Sequence, residues 1–285
     1  MTAPFARRRF LALTAAAAAG ATWFDAPRVL RAADTKDPYG GFPIGAQSYS
    51  LRKFEMLEAV RHIQGMGLHY VEMFRNHLAM DADDSTLKST LKVLADAQIT
   101  LNAHGVTAFT ADHAANRKPF EFAKRAGFKN ITANPEPDSF DSLDKLVAEY
   151  NVRICIHNHG PGALYDTIES VENAVKGRHP LIGACVDTGH FIRSKIDPVE
   201  AVRRLGPRVF AVHLKDEEKQ EARSRNVVIG SGFLDLVAMF KMLRKIKFPA
   251  DGALSLEYEA NPDNPVDDMK QCLVAAREAI AKVVS

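Results

Sequence analysis

The chain has 285 residues, of which 46% are hydrophobic and 25% charged, and its formal net charge is only +2. That profile fits a globular chain with a sizeable core and excludes recruitment to nucleic acid or an anionic surface through bulk charge. The three cysteines, Cys155, Cys185 and Cys272, lack metal spacing such as Cys-x-x-Cys, and their odd number makes no disulfide framework. They are expected as buried small residues.

Residues 1–33 stand apart from the rest. Ala6-Arg7-Arg8-Arg9-Phe10-Leu11, followed by an alanine-rich run to Thr22, has the charged and modestly apolar regions of an export signal. The paired arginines ahead of Phe10 resemble the twin-arginine pattern, with cleavage expected near Ala32 or Ala33, which would make the chain periplasmic. The apolar region is too short and too alanine-rich for a stable membrane anchor.

From Phe42 onward, short apolar runs alternate with amphipathic segments. The runs are Pro43 to Ser48, His69 to Phe74, Ile99 to His104, Lys129 to Ala133, Val152 to His157, Leu181 to Asp187, Arg208 to Leu214 and Gly252 to Tyr258. Helical patterns lie between them: Phe54 to Met66, Thr86 to Ala97, Pro119 to Gly127, Ser142 to Tyr150, Thr167 to Lys176, Pro198 to Leu205, Phe233 to Ile246 and Val266 to Val284. About eight strand-helix pairs, most spaced by roughly 25 to 30 residues, predict an α/β fold, a (β/α)8 TIM barrel over residues 42–285. An open nucleotide-binding sheet would want Gly-x-Gly-x-x-Gly after its first strand, and the chain has none. The stretch Asp216 to Asp235 reads as a long loop after strand seven, placed to contact substrate.

The carboxyl ends of the runs are rich in polar residues: Glu72, Asn102 and His104, His157-Asn158-His159, Asp187 and His190, His213-Leu214-Lys215-Asp216, and Glu257-Tyr258-Glu259. Barrel enzymes place their chemistry at that end. Side chains alternate along a strand, so the residue two before an inward one is also inward. Two before His157, Asp187, His213 and Glu257 stand Cys155, Cys185, Ala211 and Ser255, all small, while the outward Ile156, Val186, Val212 and Leu256 are apolar. Two imidazoles and two carboxylates above a floor of small residues suit one divalent ion such as Mn, Co, Zn or Mg. A hydrogen-bond network without metal is the plainer alternative, although two carboxylates meeting there would repel unless a cation or shared proton intervened.

The segments CVDTGH, AVHLKDE and LSLEYE resemble the xylose isomerase-like barrel superfamily of sugar isomerases, epimerases and dehydratases, over most of the chain from Phe42. The resemblance implies a single divalent ion held at strands five to eight by Glu, Asp, His and Glu. Asp187, His213 and Glu257 match that set. At strand five His157 stands where the family has glutamate, with His159 as the other inward candidate. The resemblance also assigns His190 to a substrate oxygen. The departure at strand five puts symmetric two-carboxylate epimerisation in doubt, and no phosphate-binding glycine loop or arginine clamp is apparent.

The expected activity is a divalent-metal-dependent sugar isomerase or epimerase working through a metal-stabilised enediolate on a ketose or keto-sugar. Glu257 is the first choice of base and His157 the second, and Lys215, Glu72, His159, His104 and His190 are expected to contact substrate. A dehydratase or lyase of inososes or 3-keto-glycosides and a non-catalytic sugar-binding barrel are the alternatives. Lys215 would also permit a Schiff base, and Asp187-x-x-His190 resembles endonuclease IV, but that enzyme's Asp-x-His pair after strand seven is missing from Asp216 to Asp235. The expected partner is a small-molecule sugar, with no nucleic acid, and a homo-oligomer stays open.

Overall fold

The computed structural model describes residues 37–284, so the expected export signal at residues 1–33 lies outside the described residues. Eight parallel strands close on themselves: β1 (Ile44–Gln47), β2 (Tyr70–Met73), β3 (Thr100–Phe109), β4 (Asn130–Pro135), β5 (Arg153–His157), β6 (Ile182–Asp187), β7 (Val209–Leu214) and, after two short loop strands, β10 (Ala253–Leu256), which pairs with β1. The loop strands β8 (Asp216–Glu217) and β9 (Asn226–Val227) form a separate antiparallel pair. This is the (β/α)8 barrel that the spacing predicts. Among the described residues no helix is long and apolar enough to cross a membrane.

Two apolar layers hold the barrel. The larger lies between strands and helices, where Ile156, Val186, Val212 and Leu256 are buried. The inner one is small: Ala103, Cys155, Cys185, Phe210, Ala211 and Ala253. All three cysteines are free and buried. Pairing is staggered, His157 lying opposite Cys185 and His213 opposite Ser255, as closure of a tilted sheet requires.

The helices follow the predicted pattern with two departures. Helix α3 (His113–Ala126) starts six residues before Pro119, because the Asp112 side chain accepts from the N–H groups of Ala114 and Ala115. That cap outweighs the tendency of proline to sit in a first turn. Helix α6 (Thr188–Arg193), absent from the predicted pattern, springs directly from β6, with Asp187 as its cap, and precedes α7 (Pro198–Leu205).

The loop after β7 is organised by one buried side chain. The Asp216 carboxylate accepts from the backbone N–H groups of Glu217, Gly230, Gly232, Phe233 and Leu234 at 2.8–2.9 Å, folding the segment back before α8 (Leu236–Lys245). Replacing it leaves five backbone donors, two of them in buried hydrogen bonds, without their acceptor. Asp216→Ala is expected to lower stability by about 3 kcal/mol, with trypsin or chymotrypsin cleavage appearing first between residues 217 and 235. A variant as protease-resistant as the parent would show the loop to be held by other contacts.

Candidate metal centre

The residues of the sequence motif Cys185 to His190 each have a separate place. Cys185 lies in the barrel floor and Val186 points out to the helices. Asp187 Oδ1 accepts from the His190 N–H at 2.7 Å, capping α6 and aiming Oδ2 across the mouth. The hydroxyl of Thr188 accepts from the Lys215 N–H at 2.8 Å and donates to the backbone carbonyl of Lys215, fixing β6 to the end of β7. A Cβ on Gly189 would stand 2.7 Å from the Lys215 side-chain carbons, so only glycine lets that stem pass into the mouth. On the other side, Asn158 exchanges two hydrogen bonds with the Asp187 backbone, at 2.8 and 3.0 Å. Asn158, Thr188 and Asp216 are positioning residues absent from the predicted site, because a polar residue that serves the backbone leaves no periodic trace in sequence.

Four of the predicted residues converge. One donor atom from each of His157, Asp187, His213 and Glu257 lies within 4.8 Å of the other three, and all four residues are buried. His157 Nε2 is 3.0 Å from His213 Nδ1, and Glu257 Oε2 is also 3.0 Å from that nitrogen. Asp187 Oδ2 stands 3.4 Å from His157 and 3.7 Å from His213. Asp187 Oδ2 and Glu257 Oε2 are both buried and make no hydrogen bond of good geometry, although the Lys215 ammonium lies within 3.0 Å of each. Two imidazole nitrogens and two buried carboxylate oxygens around one point fit a borderline or hard divalent ion. Cys185 lies close enough to join the two imidazoles, but burial pushes its thiol up to about 11, which makes it the poorer ligand.

Glu72 is placed differently from the sequence expectation. It is fully buried beneath the mouth, where it accepts from Thr132 and Ser255, and its Oε2 is 2.9 Å from His213 Nε2. It cannot contact substrate there. Burial alone would raise its carboxyl, but His213, Thr132 and Ser255 hold it below its ordinary value. A carboxylate behind an imidazole fixes the ring and its tautomer, leaving His213 Nδ1 to face the cluster of His157, Asp187 and Glu257. Burial would lower the His213 imidazole, yet Cys185, Glu72 and Glu257 raise it well above its usual range.

His104 is a second correction. The β2–β3 and β3–β4 pairings are irregular around it, and its ring lies among Phe122 and Phe128, with Nε2 bonded to the Leu78 carbonyl at 2.6 Å. It belongs to the helix-facing layer. The alternation rule misplaces it because a bulge shifts every later residue of a strand to the other face.

The remaining predicted contacts line the mouth. His159 and His190 stack with ring centroids 5.4 Å apart, and each lies beside His157. Burial holds His159 down to about 4 and His190 to about 3, so both rings are neutral at physiological pH. Lys215 Nζ lies 3.0 Å from Asp187 Oδ2 and 2.9 Å from Glu257 Oε2, and it also pairs with Glu259. Burial would lower this amine, but the three carboxylates raise it well above its ordinary value. A lysine kept charged does not serve as a Schiff-base nucleophile. For Glu257, burial would raise the carboxyl, whereas Lys215 and His213 hold it below its ordinary range.

A closed parallel barrel with this polar set at its carboxyl-terminal mouth has the architecture of a barrel enzyme. Residues 136–276, a little under half of the chain, match the family model described as xylose isomerase-like TIM barrel. A curated relative, the inosose dehydratase of Clostridium tetani (strain Massachusetts / E88), is 28% identical over 145 residues, which are 45% of this chain and 48% of the relative. The match therefore spans about half the length of that relative. Among solved structures, an uncharacterised protein from Parabacteroides distasonis is 27% identical with a TM-score of 0.66, covering 85% of this chain and 99% of that one. The IOLI protein with a binding zinc atom aligns with a TM-score of 0.68 at 19% identity, covering 86% of this chain and 98% of that one, a likeness of fold.

Two outcomes follow from the geometry. Glu72→Gln is expected to weaken divalent-metal affinity by about 10- to 100-fold while leaving the circular dichroism unchanged, whereas His213→Ala is expected to abolish stoichiometric binding. Metal titration monitored by calorimetry checks both, and undiminished affinity in Glu72→Gln would show the tautomer to be fixed elsewhere. The second outcome concerns Glu217, which faces Arg193 from α6, Lys215 just before its own strand, Asp187 from β6 and Ser224 from the loop. Burial pushes its carboxyl up to about 7 from an ordinary 4.5. Between those values the folded chain holds the proton that the unfolded chain has released, so this residue's contribution to stability falls as pH rises through the window. The melting temperature of Glu217→Gln relative to wild type is expected to improve from pH 4.5 to 7.5, and a constant difference would contradict the shift.

Proposed function

We propose that the chain is a divalent-metal-dependent sugar lyase, a dehydratase acting on an inosose or related keto-sugar. The observation that carries this reading is the asymmetry of the mouth. Glu257 is the carboxylate best placed as a base, an ammonium at Lys215 stands 2.9 Å from it, and the opposite position at strand five is His157. Symmetric epimerisation needs a second base on the other face of the substrate, and His157 Nε2 is directed at the ligand cluster.

His157, Asp187, His213 and Glu257 would hold the ion, which when bound polarises a carbonyl and steadies the negative charge left by proton loss. Glu257 turns Oε2 to the cluster, leaving Oε1 to take the proton from the carbon next to the carbonyl. Lys215 supplies a proton to the departing hydroxyl, which leaves as water. Neutral His159 and His190 orient substrate oxygens from the opposite wall. The convergence of two imidazoles and two carboxylates and the zinc atom of the IOLI structure support the metal requirement, and the inosose dehydratase relative supports the substrate class.

The test is a metal-loaded panel of inososes, ketoses and keto-glycosides followed by proton NMR in D2O. Loss of water with deuterium entering next to the carbonyl is expected, and Glu257→Gln is expected to slow turnover by about 10²- to 10⁴-fold. Deuterium exchange without elimination would assign an isomerase or epimerase instead. No exchange across the panel with metal bound would overturn an enzymatic reading and leave sugar binding.

A further inference from the structure

Beyond the ligand cluster, three buried polar atoms in one wall of the mouth lack partners: Arg193 Nε, Glu217 Oε2 and His190 Nδ1. His190 and Arg193 are three residues apart on α6 and so share a face. Glu217 is only 2% exposed, lies two residues after Lys215 and is within electrostatic reach of that lysine and of Asp187. The Arg193 guanidinium is seated over Gly160, just beyond β5, where an added Cβ would meet Nη2 at 2.5 Å. Arg193 lies within electrostatic reach of both His190 and Glu217. These residues come from the strand ends five, six and seven, beside the cluster, and the mechanism above uses only His190.

We infer that Arg193 and Glu217 form a substrate-binding subsite that reads a hydroxyl group of a polyhydroxylated keto-sugar, distal to its reacting carbons. The inference deepens the function proposed above and rests on it. Arg193 Nε–H can only donate, while Glu217 Oε2 can accept. A hydroxyl does both, accepting from the guanidinium and donating to the carboxylate, so one group satisfies two atoms that otherwise stay buried and unpaired. A carboxylate or phosphate would meet Arg193 favourably but has no proton to donate to Glu217 Oε2, so that buried oxygen would stay unpaired. The pair therefore selects a neutral polyol over an anionic ring.

The test is calorimetric binding to the metal-loaded full chain, with 2-keto-myo-inositol as probe, alongside its single-deoxy analogues and a carboxylated cyclic ketone of the same ring size. Arg193→Met and Glu217→Leu are each expected to weaken 2-keto-myo-inositol binding by about 10- to 100-fold with metal stoichiometry unchanged. One deoxy analogue is expected to bind wild type and both variants with equal weakness, identifying the hydroxyl. Gly160→Ala, which crowds the guanidinium without removing it, is expected to weaken binding in the same direction and serves if either variant fails to fold. Unchanged affinity in folded variants with metal intact, or preference for the carboxylated ketone, would overturn the subsite alone. No binding of 2-keto-myo-inositol by the metal-replete wild type would overturn the inosose reading and the subsite with it.

Discussion

Burying carboxylates together is costly, and the mouth of this barrel gathers three beneath or within it: Glu72, Asp187 and Glu257. Two unit charges about 4 Å apart repel by about 4 kcal/mol at an effective dielectric constant of about 20, before the loss of hydration is counted. Positive charge must therefore be supplied locally. In the chain itself it comes from Lys215 and from the raised imidazole of His213, which stand among those carboxylates. The oxygens of Asp187 and Glu257 that face Lys215 make ion-pair contacts with it but no well-aligned hydrogen bond. A divalent ion bound there would displace the imidazole proton and take over part of that compensation.

This electrostatic demand explains the neighbouring structure. His213 is gripped on both sides, by Glu72 behind and by the ligand cluster in front, so its ring has one orientation. Asp187 divides its two oxygens between capping a helix and facing the cluster. Thr188 and Asn158 then tie the backbone of that strand end to its neighbours. The precision of the site is that of strand termini, which move less than loops.

Much of this is legible in sequence because the strand rule is simple. Alternation places His157, Asp187, His213 and Glu257 inward above small residues, and the structure brings those four side chains together. The rule fails where the strand is irregular, as at His104, which follows a register shift in the β2–β3 pairing. It is silent about depth, which is why Glu72 reads as a substrate contact although it lies below the mouth. It also cannot see residues whose partner is backbone, such as Asp216, or a short helix whose cap doubles as a ligand, such as α6. Arg193 escapes the pattern for the same reason, because it sits on a helix that the pattern omits.

His213, Lys215 and Asp216 lie within four residues of one another, from the end of β7 to the start of β8, and this ordering binds together parts that could have been separate. The first faces the ligand cluster, the second spans two of the cluster's carboxylates, and the third moors the covering loop. The cover and the cage thus hang from one hook. A displacement of the loop pulls on the backbone that carries the ammonium and the imidazole, so the enclosure of a guest and the tuning of the charges around it are mechanically one adjustment.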